Sequence, residues 1–140
     1  MRAEDLERVA AIEREAFTAP WKEETFRTLL GRPGAELLVL ETDADGVIGY
    51  TVMWCIEDQG ELANIGIAEG HRGGGLGNLL LDRTIALAVE RGVRSLYLEV
   101  RESNERARKM YERRGFEEIG VRRAYYDDPR EDARVLVKRL

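Results

Sequence analysis

Between residues 4 and 16 (EDLERVAAIEREA), Leu6, Val9, Ile12 and Ala16 recur at helical spacing among charged neighbours, which predicts an amphipathic helix. Asp5 brings an acidic group to its first turn, where the backbone amides are unpaired. TAPW at 18–21 breaks the pattern, and Pro20 is placed to open a second short helix through KEETFRTLL, closed by Gly31 and Pro33. The period then changes to that of strands. ELLVLET (36–42), VIGYTVMWCI (47–56) and LANIGIA (62–68) read as three strands, with the turn DADG between the first two. Their short connections predict an antiparallel meander.

Residues 76–90 predict a helix stopped by Gly92, and SLYLEV (95–100) a compact strand. A long helix between 62–68 and 95–100 makes those two strands parallel neighbours joined by a right-handed crossover. NERARKMYERR is a further helix with Gly115 as its C-terminal cap, and FEEIGVRRAYY and DARVLVKRL are strands around the turn DDPRE. The expected fold class is α/β (α+β). One domain, residues 1–140, holds a mixed, mostly antiparallel sheet flanked by about four helices.

Composition narrows this picture. The chain has 140 residues, 44% of them apolar and only 3 of them proline, enough for a sizeable core and unlike a disordered chain. No apolar run approaches the roughly 18–20 residues of a membrane span. The first residues, with Arg2, Glu4, Asp5, Glu7 and Arg8, are unlike a signal peptide. Cys55 is the single cysteine, so neither an internal disulfide nor a paired-cysteine metal site is expected, and a cytoplasmic location is. The net charge of -5 argues against a nucleic-acid partner. Residues 1–70 carry 6 Lys and Arg against 15 Asp and Glu, and residues 71–140 carry 16 against 12. That split suits an anionic cofactor on one side and an amine on the other, though an unsorted surface also produces such splits.

The densest chemical signal is HRGGGLG at 71–77. Reading G-x-G-x-x-G from Gly73 or from Gly75 ends on Asn78 or Leu80, so no dinucleotide fingerprint is completed. Gly70 and Gly75 have the Walker spacing, but Leu76 and Gly77 stand where Lys and Ser or Thr belong. What remains is R-x-x-G-x-G between a strand and a helix. Glycines there remove Cβ atoms so that successive amides converge on one anion, and the helix start adds its own donors. A phosphate or diphosphate fits; a plain glycine-rich turn is the alternative.

HRGGGLG, then LYLEV, then ESNERARKMYERRGF, together resemble the acetyl-CoA-binding core of the Gcn5-related N-acetyltransferases. FTAPWKEETF, LEVRESN, YERRGFEEIGVRRAYY and the late EDA resemble the bacterial branch that acetylates the N-terminal alanine of ribosomal protein S18. The likeness covers nearly the whole chain. It implies two parallel strands that splay apart with acetyl-CoA in the gap. The pantetheine arm would pair with Ile65, Gly66 and Ile67, and the diphosphate would sit on the loop of Arg72, Gly73, Gly74, Gly75, Leu76, Gly77 and Asn78. Glu99 matches the family's general base, Tyr111 its acid, and Asn104 a residue beside the pantetheine. Tyr125 and Tyr126 match a tyrosine pair lining the peptide groove, with Phe17 and Trp21 as a further wall or as simple packing. Gly73 replaces a longer polar residue and Ala124 an Asn of that branch. Family members begin with a strand before the segment at Met1, so the first edge strand is either missing or encoded upstream. A monomer or weak dimer is expected.

The residues carry this chemistry in part unaided. An α-amine has a pKa of about 7.7–8, so near neutrality a base removes only a modest excess of protons. Alternation puts Tyr97, Glu99 and Arg101 on one face of their strand and Leu96, Leu98 and Val100 on the other. Glu99 is thus either a partly desolvated base or a carboxylate paired with a nearby Arg. Tyr111 is either an acid for a thiolate leaving group or an aromatic packed under Phe116. Cys55 in VMWCI reads as an inert core thiol, which favours direct transfer. His71 alone makes no metal site; none is expected. Glu57, Asp58 and Glu61 are placed to meet basic residues behind a peptide N-terminus. The rival functions are acetylation of a lysine, polyamine or small-molecule amine, and a non-catalytic acyl-CoA-binding module needing neither Glu99 nor Tyr111.

Overall fold

The computed structural model describes residues 1–127 and 129–140; Asp128, within the DDPRE turn, lies outside the described residues. A short 3-10 turn leads into α1 (Leu6–Ala16), and α2 follows at Glu23–Leu29. Leu6, Val9 and Ile12 are fully buried along α1. Asp5 turns its carboxylate back to accept the Arg2 amide at 2.8 Å. Pro20 stands ahead of α2 in the connecting loop, because α2 starts only after Lys22.

The remaining elements are β1 (Ala35–Thr42), β2 (Gly46–Ile56), β3 (Gln59–Ile67), α3 (Leu76–Glu90), β4 (Ser95–Arg101), α4 (Glu105–Arg113), β5 (Glu117–Asp127) and β6 (Arg130–Arg139). They form a six-stranded sheet in the order β1-β2-β3-β4-β6-β5. Every neighbouring pair is antiparallel except β3 and β4, so the sheet is mixed and mostly antiparallel, as expected. β3 begins at Gln59, earlier than the apolar run at 62–68, because Gln59, Gly60 and Glu61 pair with the end of β2. Glu57 takes φ +55° to make that hairpin tight.

Alternation along β2 builds both faces of the sheet. Tyr50 and Val52 join Leu6, Val9, Ile12 and Phe26 under α1 and α2. Thr51 meets Thr84 of α3 at 3.2 Å, and Met53 joins Leu81, Leu96, Leu98, Tyr111 and Phe116. Burying one such large apolar side chain stabilises by about 1.5–3 kcal/mol.

Parallel pairing of β3 and β4 runs from Gln59↔Ser95 to Leu62↔Leu98 and then stops. β3 continues beside β2 as far as Ile67↔Gly49, and β4 beside β6 as far as Arg101↔Ala133. The strands therefore part at Leu62 and Leu98. The β2–β3 register shifts there, with Val52 opposite Asn64 and Met53 opposite Leu62. A bulge of this kind bends its strand and increases local twist.

Candidate active site

The parted strands open a cavity of about 650 Å³. Beyond Leu62 the β4-facing edge of β3, at Ile65, Gly66 and Ile67, is left without a strand partner and lines it. A second cavity of about 320 Å³ covers the glycine loop. Ile67, Gly77, Asn104, Ala107 and Met110 line both, so the two form one track from the loop into the gap between the strands.

The loop has the geometry of an anion cradle. Gly73 and Gly75 adopt φ +86° and +83°, a region that side chains disfavour, and Gly75 caps α3. The first bond of the helix runs from the Leu79 amide to the Gly75 carbonyl at 3.1 Å, so the amides ahead of it are free to bind a guest. A Cβ on Gly74 or Gly75 would meet open space, so closeness of approach and conformation, not crowding, favour glycine there. Arg72 curls back to donate to the Ile67 carbonyl at 2.9 Å. Arg106 and Arg113 of α4 add positive charge to the lining. His71 Nδ1 and Asn78 Oδ1, both buried, have no partner among the described residues, and both residues line this cavity. Free amides and arginines, all donors, together fit the phosphates of coenzyme A. Asn104 has a structural duty as well: its side chain accepts the Ala107 amide at 3.2 Å and caps α4.

Glu99 and Tyr111 reach the larger cavity from different elements, β4 and α4. The faces of β4 alternate as the sequence requires, with Leu96, Leu98 and Val100 buried and Glu99 partly exposed. Glu99 pairs with Arg122 at 3.0 Å, the pairing the sequence left open. Tyr111 is 5% exposed and packs edge-on against Phe116 at 5.6 Å, so it is at once a packed aromatic and a cavity wall. Burial, and then the neighbouring Tyr126, raise its phenol well above the ordinary range.

Tyr125 and Tyr126 stand edge to face, 5.1 Å apart, at the other side of this cavity. The Glu99 carboxylate, and then burial, raise the Tyr125 phenol. Burial, and then Glu99, push Tyr126 up to about 12. Arg101 lies 4.2 Å over the Tyr126 ring and bonds Thr18, Pro129 and Glu131, tying β4 to both loops at the groove mouth. Tyr125 and Tyr126 sit where the β5–β6 register shifts, at Ala124 with φ +49°.

Phe17 and Trp21 both line the cavity, Phe17 exposed and Trp21 packed on Phe26 at 5.5 Å. Of the three acidic residues expected near a peptide, Glu61 alone lines the cavity. Asp58 lies at the far end of the hairpin, where its backbone carbonyl accepts the Arg94 and Ser95 amides, with Glu57 beside it in the turn. Position along a hairpin, not proximity in sequence, decides which end faces the gap.

Among the cavity residues that the sequence does not single out, Glu13 and Asn64 form a bonded pair. Glu13 is 1% exposed and accepts hydrogen bonds from Tyr50, Asn64 and the Trp21 amide. Its signal was present: a charged residue four positions after Val9, on the buried stripe of α1. Asn64 was likewise a polar residue within the apolar run LANIGIA.

The acetyltransferase (GNAT) family model matches residues 6–116. The [ribosomal protein bS18]-alanine N-acetyltransferase of Haemophilus influenzae is 40% identical over 136 residues, covering 94% of this chain and 90% of that protein. The crystal structure of the ribosomal-protein-S18-alanine N-acetyltransferase from Escherichia coli superposes with a TM-score of 0.91 at 33% identity, covering 99% of this chain and 90% of that one. Ard1 from Thermoplasma volcanium shares the fold, with a TM-score of 0.91 at 23% identity over 100% of this chain and 94% of its own. With a phosphate cradle opening onto splayed parallel strands, and this kinship over nearly its full length, the chain belongs to the acetyltransferase (GNAT) family and is an acetyl-CoA-dependent N-acetyltransferase.

Proposed function

We propose that the chain acetylates the N-terminal α-amine of a protein, first of all the alanine of ribosomal protein S18, by direct attack in a ternary complex. It would do so in the cytoplasm as a monomer or weak dimer. One observation carries the reading: Glu99, Tyr111 and the Tyr125–Tyr126 pair, from three different elements, all line the one gap between β3 and β4. The bS18-alanine acetyltransferases named above support the choice of acceptor.

Acetyl-CoA, when bound, supplies an acyl group activated as a thioester. Amides of Gly73 to Asn78, with Arg72 beside them, hold its phosphates, and Ile65, Gly66 and Ile67 offer their unpaired edge to an extended arm. The Glu99 carboxylate takes the proton from the incoming ammonium at its oxygen, directly or through water. Tyr111, protonated at neutral pH as any phenol is, faces the cavity and would give up its proton as charge builds on the departing sulfur. Tyr125 and Tyr126 frame the peptide backbone behind the amine, and Phe17 and Trp21 close the opposite wall.

The test is incubation with acetyl-CoA and total ribosomal proteins, followed by mass spectrometry of the N-termini, alongside a panel of peptides, lysine and free polyamines. Acetyl on the S18 N-terminus and preference for alanine-first peptides are expected. Acetylation of lysine side chains or free amines alone would overturn the reading.

A further inference from the structure

Glu13 lies on the stripe of α1 that otherwise buries Leu6, Val9 and Ile12. Its carboxylate receives the Tyr50 hydroxyl, the Asn64 amide at 2.9 and 3.1 Å on its two oxygens, and the Trp21 backbone amide at 2.9 Å. Among the described residues no Lys, Arg or His forms an ion pair with it. All its partners are neutral donors, which an acceptor-only group satisfies and an amide cannot.

These contacts close on themselves. The Tyr50 ring meets Phe26 edge-on at 5.6 Å, Phe26 meets Trp21 at 5.5 Å, and the Trp21 amide returns to Glu13. The same Tyr50 lies beneath the donor-side strand: a Cβ on Gly66 would come within 2.7 Å of its ring. Asn64, held by Glu13, sits two residues before Gly66. One buried carboxylate thus ties the loop wall at Trp21 to Tyr50 and Asn64, while the strand edge at Gly66 and Ile67 is held by its own ladder with β2.

We propose that Glu13 is a positioning residue for acceptor binding, locking the loop that carries Trp21 onto β2 and β3 so that the acceptor wall is formed before the amine arrives. The proposal rests on the reading of this cavity as an acceptor groove. Glu13 touches no reacting atom; it acts through Trp21, Asn64 and Tyr50. A preformed wall spares the acceptor the entropic cost of ordering a loop, and satisfied buried networks are what hold such walls rigid.

The experiment is Glu13→Gln in the full chain, read by the KM for an alanine-first peptide, the Kd for acetyl-CoA and hydrogen exchange at the Trp21 amide. The amide side chain turns an NH2 toward neighbours that are themselves donors. The peptide KM is expected to rise about 10-fold or more, with acetyl-CoA Kd within about 2-fold and Trp21 exchange about 10-fold faster. Unchanged Trp21 exchange, or an equal rise in both constants, overturns the proposal. If Glu13→Gln fails to fold, Tyr50→Phe keeps the ring beneath Gly66 and removes one donor, and the same split at smaller size is expected. Wild-type protein that acetylates no peptide would sink the acceptor reading alone, and Trp21 exchange would still decide the role of Glu13.

Discussion

A phenol serves as an acid only if it reaches the leaving group, and Tyr111 has the position: its ring is buried and it lines the cavity, although burial raises its phenol and makes the proton transfer more uphill. Tyr111→Phe preserves the packing on Phe116 and removes only the proton. Single-turnover kinetics should show kcat lowered about 10-fold or more with acetyl-CoA binding nearly normal, in line with general acid catalysis. Unchanged turnover would remove Tyr111 from the mechanism. Cys55 supplies the contrasting case. Burial, and then the Glu36 charge, raise its thiol, which makes the thiolate scarcer and a covalent acetyl-cysteine route unfavourable. Cys55→Ala should retain wild-type kcat/KM; loss of a burst phase or of most activity would argue for the covalent route. At this scale the resemblance implied roles for Glu99 and Tyr111, and the structure places both on the one cavity. It did not show that Arg122 meets Glu99, or that Glu13 holds Tyr50 and Asn64, because those partners come from distant parts of the chain.

Among the elements, the bulge of β5 stores strain. Ala124 sits at φ +49°, its amide bonded to the Asp132 carboxylate at 2.7 Å, and the register skips from Arg122 to Tyr126 across it. The left-handed region costs a non-glycine residue about 1–2 kcal/mol, less for Asn, whose short side chain bonds locally. Ala124→Asn should therefore raise stability in urea by about 0.5–1 kcal/mol, with the tyrosine pair undisturbed. No change in the midpoint would mean that Asp132 already relieves the strain. The start of α3 makes the opposite demand. Gly75→Ala strains the cap at φ +83° and disturbs the amide cradle, so acetyl-CoA Kd should rise while the peptide KM holds. The meander and the end of α3 were readable from period and turn residues, whereas the start of α2 fell after Lys22 and not at Pro20. The early start of β3 was not readable, because Gln59 and Glu61 are polar residues drafted into a ladder by their partners on β2.

For the whole molecule, three phenols, two buried and one half-buried, set an alkaline limit. Tyr50, Tyr111 and Tyr126 are all raised, each chiefly by burial, Tyr126 to about 12. Unfolded, each loses its proton near 10.0; folded, each keeps it, so above that pH the unfolded chain binds fewer protons. Their contribution is fully present below pH 10 and is lost as pH rises toward 12 and beyond. Urea midpoints should hold level up to about pH 9 and fall steeply above 10, and Tyr111→Phe should make that fall shallower. A midpoint flat to pH 11 would contradict the burial of these rings.

By itself the sequence determined the order of helices and strands, the place of the glycine loop and the parallel crossover, because period, turn chemistry and motif spacing are local properties of a chain. Only the tertiary structure decided that β3 and β4 separate after Leu62 and Leu98, that Glu61 lines the cavity while Glu57 and Asp58 do not, and that Glu13 binds Tyr50, Asn64 and Trp21 at one point. The physical reason is common to all three. Each depends on where a sheet twists and which distant donors arrive there, and contacts between segments up to 51 residues apart leave no periodic trace in the chain.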